Sequence, residues 1–213
     1  MACRIVVLIS GSGSNLQSLI NTLPPEQAHI IAVISNREDA YGLQRAAAAG
    51  IATHALNHRN YPDRASYDRA LANLVDSYQP DLVVLAGFMR ILTNEFVGRF
   101  ADRLLNIHPS LLPKYTGLHT HQRALEAGDR EHGATVHFVT EELDGGPPIL
   151  QAHIPVLHDD TPDTLAHRVR LTEHRLYPAA VMLFVSGRVR LINNRACLDG
   201  TPLESCGLRL DEL

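Results

Sequence analysis

The chain has 213 residues, and 45% of them are hydrophobic, which is enough for one large domain or two small ones with a buried core. A formal net charge of −4, without a Lys/Arg cluster longer than two residues, argues against a nucleic-acid partner. No run approaches the ~18 apolar residues of a membrane span, and three cysteines without C-x-x-C spacing predict neither a disulfide nor a zinc site. We therefore expect a cytoplasmic protein without a membrane partner.

The first half of the chain alternates strand and helix patterns. Short runs rich in Val, Ile and Leu predict strands buried on both faces, as in parallel sheets, at 3–10, 29–35, 81–87 and 103–108. Helical patterns lie between them, at 14–23, 40–50 and 63–78. This alternation predicts right-handed crossovers and hence an α/β fold, a doubly wound, mostly parallel sheet with helices on both faces.

The second half adds a pair of alternating apolar and polar segments, 134–140 and 149–156. Only the loop EELDGGPP separates them, so we expect an antiparallel pair on the C-terminal side of the sheet. A short strand candidate at 188–193 follows later, and the tail after about residue 193 has little pattern and is a candidate for partial disorder. Without repeats or linkers, the simplest organisation is a single domain over 1–213.

The last long helix is predicted over 161–187. Thr161 is a favourable N-cap, and Pro162 stands at the first helical position, where its missing N–H has no cost. Pro178 lies well inside the pattern and is expected to kink or break the helix.

A glycine-rich turn, LISGSGSNL, joins the first strand to the first helix. Gly11 and Gly13 allow a tight bend, and the free N–H groups of Ser14, Asn15 and Leu16 then point outward at the positive end of the helix dipole. A dinucleotide fingerprint would have glycine at position 16, and a nucleoside triphosphate loop would have a lysine. The turn therefore favours a single phosphate, with a plain strand-to-helix turn as the alternative.

Three polar residues are candidates for chemistry. Asn106 and His108 stand two positions apart at the end of an apolar strand, so they share one side of it. Asp144 lies in a Gly/Pro loop that can return a carboxylate to the sheet, where it would orient His108 and favour its imidazolium. The alternative for all three is structural: polar groups that satisfy a strand end and a turn.

Five motifs occur along the chain in a characteristic order. They are VVLISGSGSNL, VVLAGFMRIL, LLNIHPSLLP, GLHTHQRAL and HFVTEELDGGPPILQ. In this order they resemble the motifs of the folate-dependent formyltransferases, over about Arg4 to Gly200.

The resemblance implies a Rossmann-like fold and a transferase. The formyl group of 10-formyltetrahydrofolate, a co-substrate, would pass by direct attack to the amine of 5′-phosphoribosylglycinamide in de novo purine (IMP) biosynthesis. Both substrates are small molecules. No metal is expected, and the chain would be a monomer or a weak homodimer.

The resemblance also implies three groups of site residues. The catalytic trio would be Asn106, His108 and Asp144. The ribonucleotide site would contain Gly13, Ser14, Asn15, Arg170 and Glu173. The folate site would contain Arg64, Met89, Arg90, Ile91, Leu92, Thr140, Glu141, Glu142 and Leu143.

Two positions depart from the family pattern. Arg170 stands where glutamine is expected, so it either strengthens phosphate binding or pairs with Glu173, its neighbour at i+3. Thr116 stands where proline is usual, which predicts a more mobile loop.

Competing functions differ in what else they require. A deformylase of the same family would carry an additional N-terminal domain, and a methionyl-tRNA formyltransferase a basic C-terminal RNA-binding domain; neither is expected here. A non-catalytic binder of phosphorylated metabolites explains the glycine turn but leaves Asn106, His108 and Asp144 without a role. A dinucleotide oxidoreductase conflicts with Leu16.

Overall fold

A computed structural model of the chain describes residues 1–213, which divide into two compact units, Met1–Asn106 and Ile107–Leu213. The expectation of a single domain over the whole chain stays a prediction. No helix is long and apolar enough to cross a membrane.

The first unit alternates strands and helices throughout. Its elements are β1 (Cys3–Ile9), α1 (Ser14–Thr22), β2 (Ala28–Ser35), α2 (Tyr41–Ala48), β3 (Ala52–Ala55), α3 (Arg64–Ser77), β4 (Leu82–Leu85), α4 (Asn94–Arg99) and β5 (Leu104–His108), whose last two residues belong to the second unit.

All strand pairs in the first unit are parallel, in the order β3-β2-β1-β4-β5. The five residues Ile5–Ile9 of β1 are fully buried, as expected for a central strand covered on both faces. The strand order reverses at β1, so right-handed crossovers place α1 and α2 on one face and α3 and α4 on the other. The crevice beyond the carboxyl ends of β1 and β4 is where doubly wound sheets bind ligands.

The second unit contains antiparallel strands and one long helix. Its elements are α5 (Thr120–Glu126), β6 (Glu131–Phe138), β7 (Pro148–Pro155), α6 (Pro162–Val185), β8 (Val189–Ile192), β9 (Arg195–Leu198), β10 (Thr201–Pro202) and β11 (Leu208–Arg209). β6 and β7 pair antiparallel, β11 lies parallel to β7, and β8, β9 and β10 form a separate antiparallel sheet. The predicted fold class, a mostly parallel sheet with an antiparallel pair, is confirmed.

Helix α6 continues through Pro178, so the predicted break at this residue is wrong, whereas the predicted kink stays a prediction. The missing N–H of a proline and the clash of its ring cost ~3 kcal/mol in a helix interior. Here the residues on both sides of Pro178, among them Leu176, Tyr177 and Val181, are completely buried, and the helix packs on β6 and β7. Burial of this apolar face outweighs the local defect. The predicted cap at Thr161 is present as a capping box.

The tail after residue 193 contains the short strands β9, β10 and β11, and the expectation that it is partly disordered stays a prediction. Leu208 and Arg209 extend the edge of β7, which gives the tail backbone partners that its sequence pattern does not reveal. Three further elements, β3, α4 and α5, were not predicted from the sequence.

Candidate functional site

The glycine turn after β1 is held tightly against α2. The Gly42 N–H donates to the Gly11 carbonyl at 3.0 Å, and Arg45 Nε donates to the Ser12 carbonyl at 2.8 Å. Gly13 has a φ of 70°, and a Cβ on it would lie 2.6 Å from the Cα of Gly42. Only glycine therefore fits at Gly13, and the turn is a fixed structure.

Helix α1 begins directly at this turn. No side chain caps its N-terminus, and its first turn carries no acidic residue. The Gln17 N–H donates to the Gly13 carbonyl and makes the first i→i−4 hydrogen bond of the helix. The N–H groups of Ser14, Asn15 and Leu16 come before it and have no acceptor within the helix. This arrangement can bind one anionic group.

The loop after β4 is tied to the end of β1 by a buried serine. Ser10 Oγ accepts from the Met89 N–H at 2.8 Å and donates to Asn36 Oδ1 at 2.6 Å. The Ser10 N–H also donates to the Gly87 carbonyl at 3.1 Å. The Asn36 amide in turn lies 3.5 Å from His58 Nδ1. Ser10 and Asn36 carry no sequence signal beyond their strand-end positions, so their contacts could not be predicted from the sequence.

The predicted folate residues of this loop combine exposed apolar groups with a fixed cation. Met89 and Ile91 are 74% and 56% exposed, whereas Leu92 is half-buried. The Arg90 guanidinium lies 4.8 Å from the centroid of the buried Tyr67 ring. The pKa of the Tyr67 hydroxyl is raised, mainly by burial, so the side chain is neutral beneath the guanidinium. Such a surface suits a flat, partly apolar ligand with polar edges.

Helix α3 supports the other end of the same loop. Asp68 Oδ2 accepts from the Thr93 N–H at 2.6 Å, and Thr93 Oγ1 caps α4. Arg64, the predicted contact of the folate tail, is exposed at the first position of α3, after the N-cap Asp63. It is therefore available to an anionic group in solvent.

His108 has two different neighbours at its two ring nitrogens. Nε2 lies 2.8 Å from the carbonyl oxygen of Tyr115, and because a carbonyl only accepts, Nε2 carries a proton. Nδ1 lies 3.4 Å from Asp144 Oδ2, and both side chains are less than 10% exposed. The proton that His108 gains or loses is therefore the one on Nδ1, the nitrogen that faces the carboxylate.

The loop between β6 and β7 brings Asp144 to His108, as predicted. Asp144 adopts a φ of 53°, which aspartate tolerates, and its Oδ2 also accepts from the Gly117 N–H at 2.8 Å. A Cβ on Gly146 would lie 1.8 Å from the Phe138 carbonyl oxygen, so the loop closes only with glycine there. The other predicted loop residues differ in exposure: Thr140 is half-buried, and three are exposed, Glu141, Glu142 and Leu143.

Asn106 lies two residues before His108 in β5, so both side chains leave the strand on the same side. Asn106 is half-buried, and its backbone pairs with Leu85 at the end of β4. Its amide can donate to an oxygen that gains negative charge.

Several other histidines of the second unit are neutral. His121 Nδ1 and His132 Nε2 are 3.1 Å apart, and burial lowers the pKa of both rings, that of His132 to about 4. Burial also lowers the pKa of His137 to about 4. The nearby Arg170 contributes to the lowered pKa of His121.

The two predicted ribonucleotide residues of α6 differ in exposure. Arg170 is exposed, and Glu173, three residues later, is buried. No three His, Cys, Asp or Glu side chains lie together in a way that could hold a metal ion. The histidines of the motif HTH at 119–121 are therefore not part of such a group.

Comparisons with known proteins match nearly the whole chain. A family model described as formyl transferase matches residues 3–181. The chain is 55% identical to phosphoribosylglycinamide formyltransferase of Escherichia coli strain K12, over 98% of this chain and 100% of the relative. It is 48% identical to the enzyme of the same name from Haemophilus influenzae, over 96% and 97% of the two chains. A solved phosphoribosylglycinamide formyltransferase from Coxiella burnetii, in complex with CHES, has a TM-score of 0.93 at 50% identity and covers 98% of this chain and 99% of that chain.

Proposed function

The chain belongs to the formyl transferase family, and we propose that it transfers the formyl group of 10-formyltetrahydrofolate to the amine of 5′-phosphoribosylglycinamide, in purine biosynthesis. The observation that carries this proposal is buried His108, with one ring nitrogen fixed by a carbonyl and the other facing Asp144, on a strand that also presents Asn106. Its relatives of nearly equal length and about half-identical sequence bear the name of this activity.

The ribonucleotide phosphate would bind at the glycine turn. The amides of Ser14 and Asn15 can donate to it, at a turn where Gly13 packs directly against Gly42. Arg170 adds an exposed positive charge, and Glu173 is the carboxylate that we assign to the ribose hydroxyls.

The folate would lie against the loop after β4. Its pteridine ring has the flat shape and polar edges that suit the backbone of residues 89–92, which Ser10 and Asp68 hold in place. Arg64 would face the carboxylates of the folate tail, and the loop 140–144 would cover the pteridine.

The reaction begins when the glycinamide nitrogen attacks the formyl carbon. A C–N bond forms, the formyl oxygen becomes an oxyanion, and the attacking nitrogen carries an excess proton. The Asn106 amide and the Nδ1–H of a positively charged His108 would stabilise the oxyanion, and the Asp144 carboxylate would stabilise that positive charge.

The intermediate collapses when the folate nitrogen leaves. This nitrogen must receive a proton, and the attacking nitrogen must lose one. His108 Nδ1 would donate the first and accept the second, which returns the ring to its starting state. No covalent enzyme intermediate is required, and no metal takes part.

The proposal also covers the setting of the enzyme, whose two substrates are small molecules. We place the enzyme in the cytoplasm, as a monomer or a weak homodimer, without a nucleic-acid or membrane partner.

An absorbance assay of folate release tests the proposal. The chain is incubated with 10-formyltetrahydrofolate, with and without phosphoribosylglycinamide. Release that requires the ribonucleotide supports the transferase. Equal release with water alone identifies a deformylase, and no release in either mixture, with the ribonucleotide bound, identifies a non-catalytic binder; both results overturn the proposal.

A further inference from the structure

The Tyr115 side chain makes contacts through both its hydroxyl and its ring. Its hydroxyl donates to Asp129 Oδ2 at 2.8 Å, and Lys114 Nζ donates to the two oxygens of the same carboxylate at 2.9 and 3.0 Å. The guanidinium carbon of Arg123 lies 5.1 Å from the centroid of the Tyr115 ring. Tyr115 also contacts the site described above, through the backbone carbonyl that accepts from His108 Nε2.

The backbone of Tyr115 is correspondingly unusual. Its φ is 57°, in the left-handed region that a bulky residue rarely adopts and that persists only where the surroundings impose it. In this conformation its carbonyl meets His108 Nε2 at 2.8 Å. Tyr115 thus combines a hydrogen bond from its hydroxyl to Asp129 with a strained backbone conformation at the same residue.

The same short segment also reaches Asp144. Two residues after Tyr115, the Gly117 N–H donates to Asp144 Oδ2 at 2.8 Å. Between them, the Thr116 carbonyl accepts from Arg123 Nη1 at 2.6 Å. The main chain of 115–117 therefore contacts both members of the His108–Asp144 pair.

We propose that Tyr115 and Asp129 are positioning residues for the formyl transfer proposed above, on which this inference rests. Their mutual hydrogen bond fixes the segment 115–117, and this segment fixes the proton on His108 Nε2 and the orientation of Asp144. Nδ1 is then always the nitrogen that exchanges a proton with the substrates.

The Asp129 carboxylate is suited to this role. The pKa of the Asp129 carboxyl is lowered, mainly by its hydrogen bonds with Lys114. The hydrogen bond to Asp129 in turn raises the pKa of the Tyr115 hydroxyl. The acceptor is therefore charged and the donor neutral near pH 7, which makes a strong hydrogen bond. The Lys114 side chain is 60% exposed, so its ion pair contributes little by itself.

Four variants separate this role from general packing. Tyr115→Phe removes only the hydroxyl and keeps the ring, whereas Asp129→Asn removes the charge of the acceptor. The double variant tests whether the two groups act as a unit, and Lys114→Met is the matched control that leaves the hydroxyl–carboxylate bond intact.

Each of Tyr115→Phe and Asp129→Asn should lower kcat about 5- to 10-fold, with the KM of both substrates within about twofold of wild type. This is less than the roughly 10- to 150-fold that a whole hydrogen bond to a charged group is worth, because the segment keeps its other contacts. The double variant should be no slower than the slower single variant, because both remove the same bond. Lys114→Met should keep kcat within about twofold. Unchanged kcat in the single variants, or losses that multiply in the double variant, would overturn the inference.

Nitrogen-15 NMR of the histidine rings provides a readout that does not require turnover. The resonances of His108 are assigned by comparison with His108→Asn. Wild type should show Nε2 protonated, and Tyr115→Phe should show an increased share of the Nδ1–H tautomer with unchanged thermal unfolding. Identical tautomer ratios would refute the positioning role. A wild-type chain that fails to transfer the formyl group refutes the proposed function instead, and the NMR result then stands alone.

Discussion

His137 makes the folded chain sensitive to mild acid. The side chain is 2% exposed on β6, and its Nδ1–H donates to the Phe138 carbonyl at 2.8 Å. Burial lowers its pKa to about 4. An unfolded chain exposes the ring to water, where the pKa is about 6.5.

The lowered pKa sets the sign and the size of the effect. The folded state binds the proton less tightly than the unfolded state, so the stabilisation is complete above pH 6.5 and is lost as the pH falls towards 4. With the folded-state pKa of about 4, the loss is about 2 kcal/mol at pH 5 and approaches about 3 kcal/mol in stronger acid.

Urea unfolding at pH 7.5 and pH 5 measures this loss. The wild type should lose about 2 kcal/mol more unfolding free energy between these pH values than His137→Asn, whose side chain does not titrate. His132 contributes equally to both proteins, so the difference isolates His137. His167→Asn, an exposed change on α6, should follow the wild type. Equal losses in wild type and His137→Asn would refute the reasoning.

Three further changes address the candidate site. His108→Asn should lower kcat by about 10²- to 10⁴-fold with little change in thermal unfolding, which steady-state kinetics and a melting curve check together; near-normal turnover would remove its assigned role. Gly13→Ala should raise the ribonucleotide KM at least about 10-fold, because its Cβ would lie 2.6 Å from the Gly42 Cα and displace the turn; an unchanged KM in titrations of the ribonucleotide would exclude phosphate binding there. Ser10→Ala removes the acceptor of the Met89 N–H, so the folate KM should rise several-fold while the ribonucleotide KM stays constant; an equal rise in both constants would refute a specific role of Ser10 in the folate site.

The elements that the sequence predicted are those with a strong local signal. Buried parallel strands such as β1 and β4 consist of short, unbroken apolar runs, which are typical of strands that are covered on both faces. The approach of Asp144 to His108 was predictable because a Gly/Pro loop between two alternating segments folds back on itself.

The features that the sequence did not reveal depend on tertiary contacts. β3 is mostly exposed and has no apolar run, and α4 and α5 are too short for a periodic pattern. Helix α6 continues through Pro178 because the residues around this proline are buried against other elements. The sequence of the helix alone does not predict those tertiary contacts. Ser10 is an ordinary residue type whose contact with Met89 arises only because segments distant in sequence meet. Tyr115 is close to His108 in sequence, but its contact depends on a left-handed backbone conformation that its residue type does not predict.

The fate of the formyl carbon tests the central claim most directly. The chain is given 10-formyltetrahydrofolate labelled with carbon-13 in the formyl group, together with phosphoribosylglycinamide, and the products are followed by carbon-13 NMR. The account predicts that the label appears in the formamide of the formylated ribonucleotide, one for each folate released. Label in free formate, or folate release without labelled ribonucleotide, would contradict it.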